Sequence, residues 1–369
     1  MCTNSSLKSY KNKFSSENES IIRLLTSSSG KGNLEIEEGL PWGLLDWNKI
    51  IAIGKHQNLL PLFYQALSRQ GLLEDLPCRE KEILEDDFLD QTALTLLYDD
   101  QLKVILNSFQ QSGIPCILLK GISIALEFYQ PRESRAYTDL DLLIKKGDFD
   151  KAKRILIELG FSISNPEGEE IRKKYFNSVS FSKSEAHQID LDLHWETFMI
   201  SWNERAFLGR RKVWENIRWI ECSGQRLPVL QPEMLILYLA LHFTLHHHFG
   251  KLLSLCDLDR VIKKWEREID WDELIQEAIA AKIKKPTYYS LRLAHDLLET
   301  DVPERVFKAL AQSKLEERLF PIQYLVFREK PPAPNIERLL KFLLIEGFQG
   351  KVKSLITFYR QLRAKKQNH

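Results

Sequence analysis

The sequence predicts an α+β protein: a mixed β-sheet core with helices, set between an N-terminal helical region and a C-terminal helical domain. Three observations carry that reading. Apolar residues recur at three- and four-residue spacing from Ile21 to Leu106 and again after Pro228. Between Gly113 and Trp195, short apolar runs bounded by turn residues alternate with helical ones. A chain of 369 residues with 44% apolar and 28% charged residues also has the composition of a folded protein with a sizeable core. The divisions fall at 1–20 (tail), 21–112 (helical), 113–228 (α/β core) and 229–369 (helical).

The first 20 residues are rich in Ser, Asn and Lys and offer little to bury, so a disordered tail is expected there. In HQNLLPLFYQALSRQGLL, Leu59, Leu62, Phe63, Leu67 and Leu72 share a helical face, and DFLDQTALTLLYDDQLKVILNSFQQ extends the pattern. Gly113 and Pro115 break it. CILLK then reads as a buried strand ending at Lys120, with a helix opening at Gly121. YTDLDLLI is a strand, DFDKAKRILIELG a helix, and FSISN, YFNSVSFSK and QIDLDLHW are strand candidates. From PEMLILYLALHFTLHH onward every periodic segment is helical, and PPAP at 331–334 reads as a turn.

Lys plus Arg number 52 against 51 for Asp plus Glu, a net charge of +1, so bulk charge gives no reason to expect nucleic acid as a partner. Cys2, Cys78, Cys116, Cys222 and Cys256 are scattered without a C-x-x-C pair, which predicts reduced thiols in a cytoplasmic protein. The longest apolar stretch, 234–241, is far short of the roughly 20 residues a membrane span needs. No membrane partner is expected.

The chemistry concentrates in TDLDLLI. Side chains alternate along a strand, so Asp139 and Asp141 share a face, with Cα atoms roughly 6.5–7 Å apart, while Leu140 and Leu142 enter the core. QIDLDLHW repeats the pattern, with Ile189, Leu191, Leu193 and Trp195 on one face and Asp190, Asp192 and His194 on the other. Either Asp-x-Asp alone is also what an ordinary exposed strand face carries. Two of them converging on one spot repel unless a divalent cation lies between them, the Mg²⁺ arrangement of phosphoryl and nucleotidyl transfer. CILLKGISIALEFY adds a strand-Gly-helix junction. There Gly121 permits close backbone approach, Lys120 brings a point charge and Ser123 a hydroxyl beside free N–H groups that suit a phosphate. Arg135 either reaches a triphosphate or balances the acidic strand.

The succession GIPCILLKG, EFYQPRESRAYTDLDLLI, a helix ending in ELGF, and IDLDLHW resembles the uncharacterised nucleotidyltransferase family of the DNA polymerase beta-like superfamily. The resemblance is clearest over 113–195 and extends more loosely to HQNLLPLFYQAL upstream and to LALHFTLHHHFGKLLSLCDLDRVI and IDWDELI downstream. It implies a nucleotidyltransferase-type core and a metal-dependent transfer of a nucleoside monophosphate from an NTP, such as ATP, to an acceptor. Asp139, Asp141 and Asp192 would be catalytic metal ligands for Mg²⁺ or Mn²⁺, with Asp190 as the substitute for Asp192. Lys120, Gly121, Ser123 and Arg135 would face the nucleotide. Lys120-Gly121-Ile122-Ser123 departs from the usual Gly-Gly or Gly-Ser pair, which bears on the triphosphate contacts.

His242 and His246 lie four apart on a helix with His247 and His248 beside them, but one helix supplies only two well-placed ligands and no H-E-x-x-H motif is present. They read as a polar face of the cleft or as ordinary surface and core positions. With Asp190, His194 and Asp257, His242 and His246 are candidate substrate contacts. The segment from Gly347 carries Lys351, Lys353, Arg360, Arg363, Lys365 and Lys366 without an acidic residue and reads as an amphipathic helix with a basic outer face. The acceptor, expected between core and C-terminal helices, is a hydroxyl of a small molecule, peptide or protein. Two other readings are a catalytically inactive nucleotide- or protein-binding member of the fold and a toxin-like enzyme that modifies a protein or tRNA.

Overall fold

A long helix decides where the sheet begins. α1 (Ser16–Ser27), α2 (Trp47–Gln57), α3 (Leu60–Arg69) and α4 (Cys78–Gln111) come first in the computed structural model. It describes residues 15–28, 45–169, 177–184, 187–197, 210–215, 217–222, 225–311, 326–327, 333–345 and 351–352. α1 begins inside the stretch read as a tail, with the Ser15 hydroxyl accepting from the Asn18 N–H at its start. α4 runs for 34 residues and stops because Gly113 takes φ +66°. The Ile114 and Gly113 N–H groups turn back onto the carbonyls of Phe109 and Gln110.

β1 (Cys116–Leu118) follows, then α5 (Ile122–Phe128), β2 (Asp139–Ile144), α6 (Phe149–Glu158), β3 (Ser162–Ile163), β4 (Ser178–Ser184), β5 (Gln188–His194) and α7 (Arg210–Glu215). β6 (Arg218–Cys222) and β7 (Gln225–Val229) form an antiparallel hairpin. The described strands make one mixed sheet in the order β3-β4-β5-β2-β1-β7-β6. β1 pairs antiparallel with β2, and β2 parallel with β5. The hairpin is absent from the sequence reading: its runs are short, interrupted by charges, and carry Pro228, which demotes a strand pattern. Pro228 lies opposite Trp219 of β6, and β7 meets β1 at Leu118 and Val229.

The two faces of this sheet bury different things. Leu140, Leu142 and Ile144 of β2 and Ile189, Leu191 and Leu193 of β5 pack with Tyr98, Ile105 and Phe109 of α4 and Phe149 and Leu156 of α6. Ile117, Leu119 and Leu143 point the other way, into the large helical core. Asp139 and Asp141 share that second face with Leu143 by strand parity. A one-residue slip of β2 would exchange three buried aliphatic side chains, worth roughly 1.5–3 kcal/mol each, for two carboxylates, so the register is firmly set.

α8 (Pro232–Leu241), α9 (Leu252–Trp265), α10 (Trp271–Ala280), α11 (Lys284–Leu298), α12 (Glu304–Leu310) and α13 (Pro334–Leu344) complete the described chain. Residues of α1–α3 and of α8–α12 belong to one continuous core, so the two helical regions that the sequence separates meet in space. Buried Gln57 ties them, its Nε2 donating to Val326 O at 2.8 Å and its Oε1 accepting from Leu252 N–H at 2.7 Å. The helix expected through His247 instead leaves α geometry at His242. A π turn spans His242–His246, followed by left-handed His248 (φ 49°) and Phe249 (φ 63°). Of the basic C-terminal stretch only 351–352 is described, so Lys353, Arg360, Arg363, Lys365 and Lys366 lie outside the described residues, as do Cys2 and 331–332 of PPAP. Among the described residues no helix is long and apolar enough to cross a membrane.

Candidate functional site

Parallel pairing of β2 with β5 sets Asp139 opposite Asp190 and Asp141 opposite Asp192. The four carboxylates therefore lie on one sheet face, at the edge where it meets the C-terminal helices. Asp141 is buried, while Asp139, Asp190 and Asp192 are half-buried. Asp190 is engaged locally, accepting from Gln188 Nε2 at 2.8 Å. Tyr98 of α4 braces this edge: its hydroxyl donates to Thr138 O at 2.5 Å and accepts from the Asp190 N–H at 3.4 Å.

His194 fixes Asp141. Asn177 Nδ2 donates to Glu196 O at 3.2 Å, which settles which way the amide points, and the same group lies 3.4 Å from His194 Nδ1. Nδ1 is then the acceptor and Nε2 carries the proton, which it donates to Asp141 Oδ1 at 3.1 Å. His194 thus positions a carboxylate. Its neighbour Trp195 is buried in the core, edge-on to Phe149 at 5.2 Å.

Lys120 supplies the opposite charge. Its Nζ lies 2.6 Å from Asp141 Oδ2 and 3.5 Å from Asp139 Oδ2. Burial opposes ionisation of Asp141, but Lys120 and the His194 hydrogen bond outweigh it and hold this carboxyl well below the usual carboxylate range. Asp139 shows the reverse balance. Burial and the charge of Asp141 overcome Lys120 and push it up to about 6. Lys120 stays protonated, since the two carboxylates outweigh its burial and raise its pKa.

Gly121 turns the chain from β1 into α5. It has φ 61° and ψ −107°, and a Cβ placed there would stand 3.4 Å from Asp139 O. Ser123 lies buried in the first turn of α5. Arg135 is drawn elsewhere: Nε and Nη2 donate to Asp257 Oδ1 and Oδ2 at 3.1 and 2.7 Å, and Tyr129 OH donates to the same Oδ1 at 2.8 Å. Arg135 and Asp257 are both buried, so the guanidinium is committed to α9 and Asp257 to the guanidinium. Neither is presented to a ligand as placed.

The π turn gathers the histidines. A five-residue repeat, closed by the His247 N–H on His242 O, brings both i+4 and i+5 onto His242. His242 and His246 stack at 4.7 Å, and His247 meets them edge-on at 4.4 and 4.9 Å. His242 is buried, and burial together with Lys120 lowers its pKa well below the ordinary value. His246 is exposed. Tyr238, one turn earlier, is pushed well above its ordinary pKa by burial and by the charges of Asp141, Asp139 and Asp192. The sequence reading did not single out Tyr238; its position one turn before His242 on the same helix was the available signal.

Within the described residues, a group of side chains that comes within reach of one cation is Asp141, Asp192 and His194, with ligand atoms inside 4.8 Å of one another. The donor chemistry suits a hard divalent ion: carboxylate oxygens lead, and the proton on His194 Nε2 is already given to Asp141. Asp141 Oδ2 is buried and receives charge from Lys120 without a well-directed hydrogen bond, an acceptor suited to a cation.

No curated protein matches the chain. A family model described as Uncharacterised nucleotidyltransferase matches residues 44–299, more than half of the chain. That span holds β1, β2, β5 and the face that carries the carboxylates, and the chain accordingly belongs to the uncharacterised nucleotidyltransferase family.

Proposed function

We propose that this protein transfers a nucleoside monophosphate from an NTP to a hydroxyl of a small molecule, peptide or protein, with a divalent cation held by Asp139, Asp141 and Asp192. The observation that carries the reading is the Asp141–Asp192 register across β2 and β5, with His194 aligning Asp141. A bound Mg²⁺ or Mn²⁺ would supply Lewis-acid stabilisation of the charge on the polyphosphate and make the acceptor hydroxyl easier to deprotonate.

The residues divide the remaining work. Asp141, which Lys120 and His194 hold ionised in the metal-free protein, would hold the cation. Asp192 takes the proton of the acceptor hydroxyl as the new O–P bond forms and the Pα–O–Pβ bond breaks, with the electron pair leaving on pyrophosphate. Lys120 and Gly121, at the junction of β1 and α5, would face the phosphate oxygens. The acceptor would enter between the sheet and the C-terminal helices, towards which Leu143 on the carboxylate face of β2 is turned. The retention of mutually repelling carboxylates favours this reading over a binding-only protein, which has no use for them.

The test is incubation of the full chain with each α-labelled NTP, Mg²⁺ and a cell extract. Label transferred to a product with release of pyrophosphate, and lost in Asp141→Asn, supports the reading. Absence of Asp141-dependent transfer for every NTP across small-molecule, peptide and protein acceptors contradicts it.

A further inference from the structure

The cation already present among the carboxylates belongs to the protein. Lys120 leaves the end of β1 and brings Nζ to 2.6 Å from Asp141 Oδ2 and 3.5 Å from Asp139 Oδ2. Its side chain is only 14% exposed, and that of Asp141 is 1% exposed. A divalent ion held by Asp141 would have to share an oxygen with an ammonium at contact distance. Two like charges that close in a buried setting strongly oppose one another. One of them must withdraw.

Lys120 can do so without moving the backbone, because its charge sits on a flexible four-carbon stem. Arg135, a second cation beside these residues, cannot take its place, since Asp257 engages it at both Nε and Nη2. We infer that Lys120 is a built-in counter-cation of the carboxylate pair, displaced when a divalent ion binds, and that the released ammonium then meets the polyphosphate of the nucleotide. The inference rests on the metal-dependent reading above and deepens it: metal binding prepares the contact that holds the donor.

Two measurements read the displacement directly, neither of them through turnover. The first is Mn²⁺ titration followed by electron paramagnetic resonance at pH 8, where Asp139 is ionised, comparing wild type with Lys120→Met and Asp141→Asn. Removal of the competing ammonium should tighten Mn²⁺ binding by at least about tenfold, the lower end of what a neighbouring charge imposes on a buried site. The second uses the wild type alone and so does not depend on a variant folding. Acylation of Lys120 by a lysine-directed reagent, read by mass spectrometry, should be slow in metal-free protein, rise severalfold with saturating Mg²⁺, and fall again when tripolyphosphate is added with Mg²⁺.

Asp141-dependent Mn²⁺ binding that Lys120→Met leaves unchanged or weakens, or Lys120 acylation that Mg²⁺ does not raise, contradicts displacement while leaving the metal site standing. Labelling that rises with Mg²⁺ but is not suppressed by tripolyphosphate contradicts the polyphosphate contact. Failure of every protein to bind Mn²⁺ contradicts the metal-dependent reading itself, and this inference with it.

Discussion

Arg135 and Asp257, 122 residues apart in the chain, form a buried two-point ion pair at 3.1 and 2.7 Å that clamps the segment before β2 to α9. Both partners are desolvated, so removing one leaves an uncompensated charge in the interior. Asp257→Ala should therefore lower unfolding stability by about 3–5 kcal/mol in denaturant titration. Arg135→Lys should be costly as well, because an ammonium cannot reproduce the forked contact. Near-wild-type stability for Asp257→Ala would show that the clamp is not structural.

Gly121 answers to backbone shape. At φ 61° and ψ −107° an L side chain is strained, although its Cβ would meet Asp139 O only at contact distance. Gly121→Ala should cost roughly 1–3 kcal/mol by thermal or denaturant unfolding. A variant as stable as wild type would contradict the role of the left-handed backbone at this position.

Asp139 gives a pH dependence whose sign is fixed. Burial and Asp141 raise its pKa from 3.8 to about 6, so between these values the folded state binds more protons than the unfolded state. Stability from this carboxyl is gained as pH falls through 6, and its ionisation above 6 is a cost. Asp139→Asn should raise the melting temperature of metal-free protein at pH 7.5, with a smaller gain at pH 5. Metal-induced stabilisation should run the other way, shrinking below pH 6 as Asp139 takes up its proton. Equal effects of Asp139→Asn at both pH values would contradict the assignment.

His242 acts in the opposite sense. Burial and Lys120 hold its folded pKa well below 6.5, so the unfolded state binds more protons as the solution is acidified. Its contribution is complete above about pH 6.5 and is lost as pH falls below that value. His242→Phe, which keeps a ring against His246, should flatten the decline in melting temperature between pH 6.5 and 5. An unchanged slope would count against a buried neutral imidazole.

Strand parity made the carboxylate face legible. In TDLDLLI and QIDLDLHW the apolar residues alternate with Asp, and the sheet places both sets as the period of two requires. The break at Gly113 likewise announced the end of α4. What local pattern does not carry is the partner of each charge. Nothing near Lys120 in the sequence says that its ammonium turns back onto Asp141, and nothing near Arg135 points to Asp257 on a distant helix. The π turn was hidden because HFTLHH has ordinary helical periodicity. Its departure rests on tertiary packing and on two consecutive left-handed residues that are not glycine. β6 and β7 were hidden because their pairing, more than their composition, makes them strands.

On the proposed function, carboxylates from β2 and β5 hold a divalent cation against a nucleoside triphosphate. Anomalous diffraction from crystals grown with Mn²⁺ and a non-hydrolysable NTP tests it most directly. The expected result is a metal peak at coordination distance, about 2.0–2.2 Å, from oxygens of Asp141 and Asp192, with a polyphosphate oxygen in the same shell. Triphosphate bound away from the β2–β5 face, or metal bound without either aspartate, would contradict it.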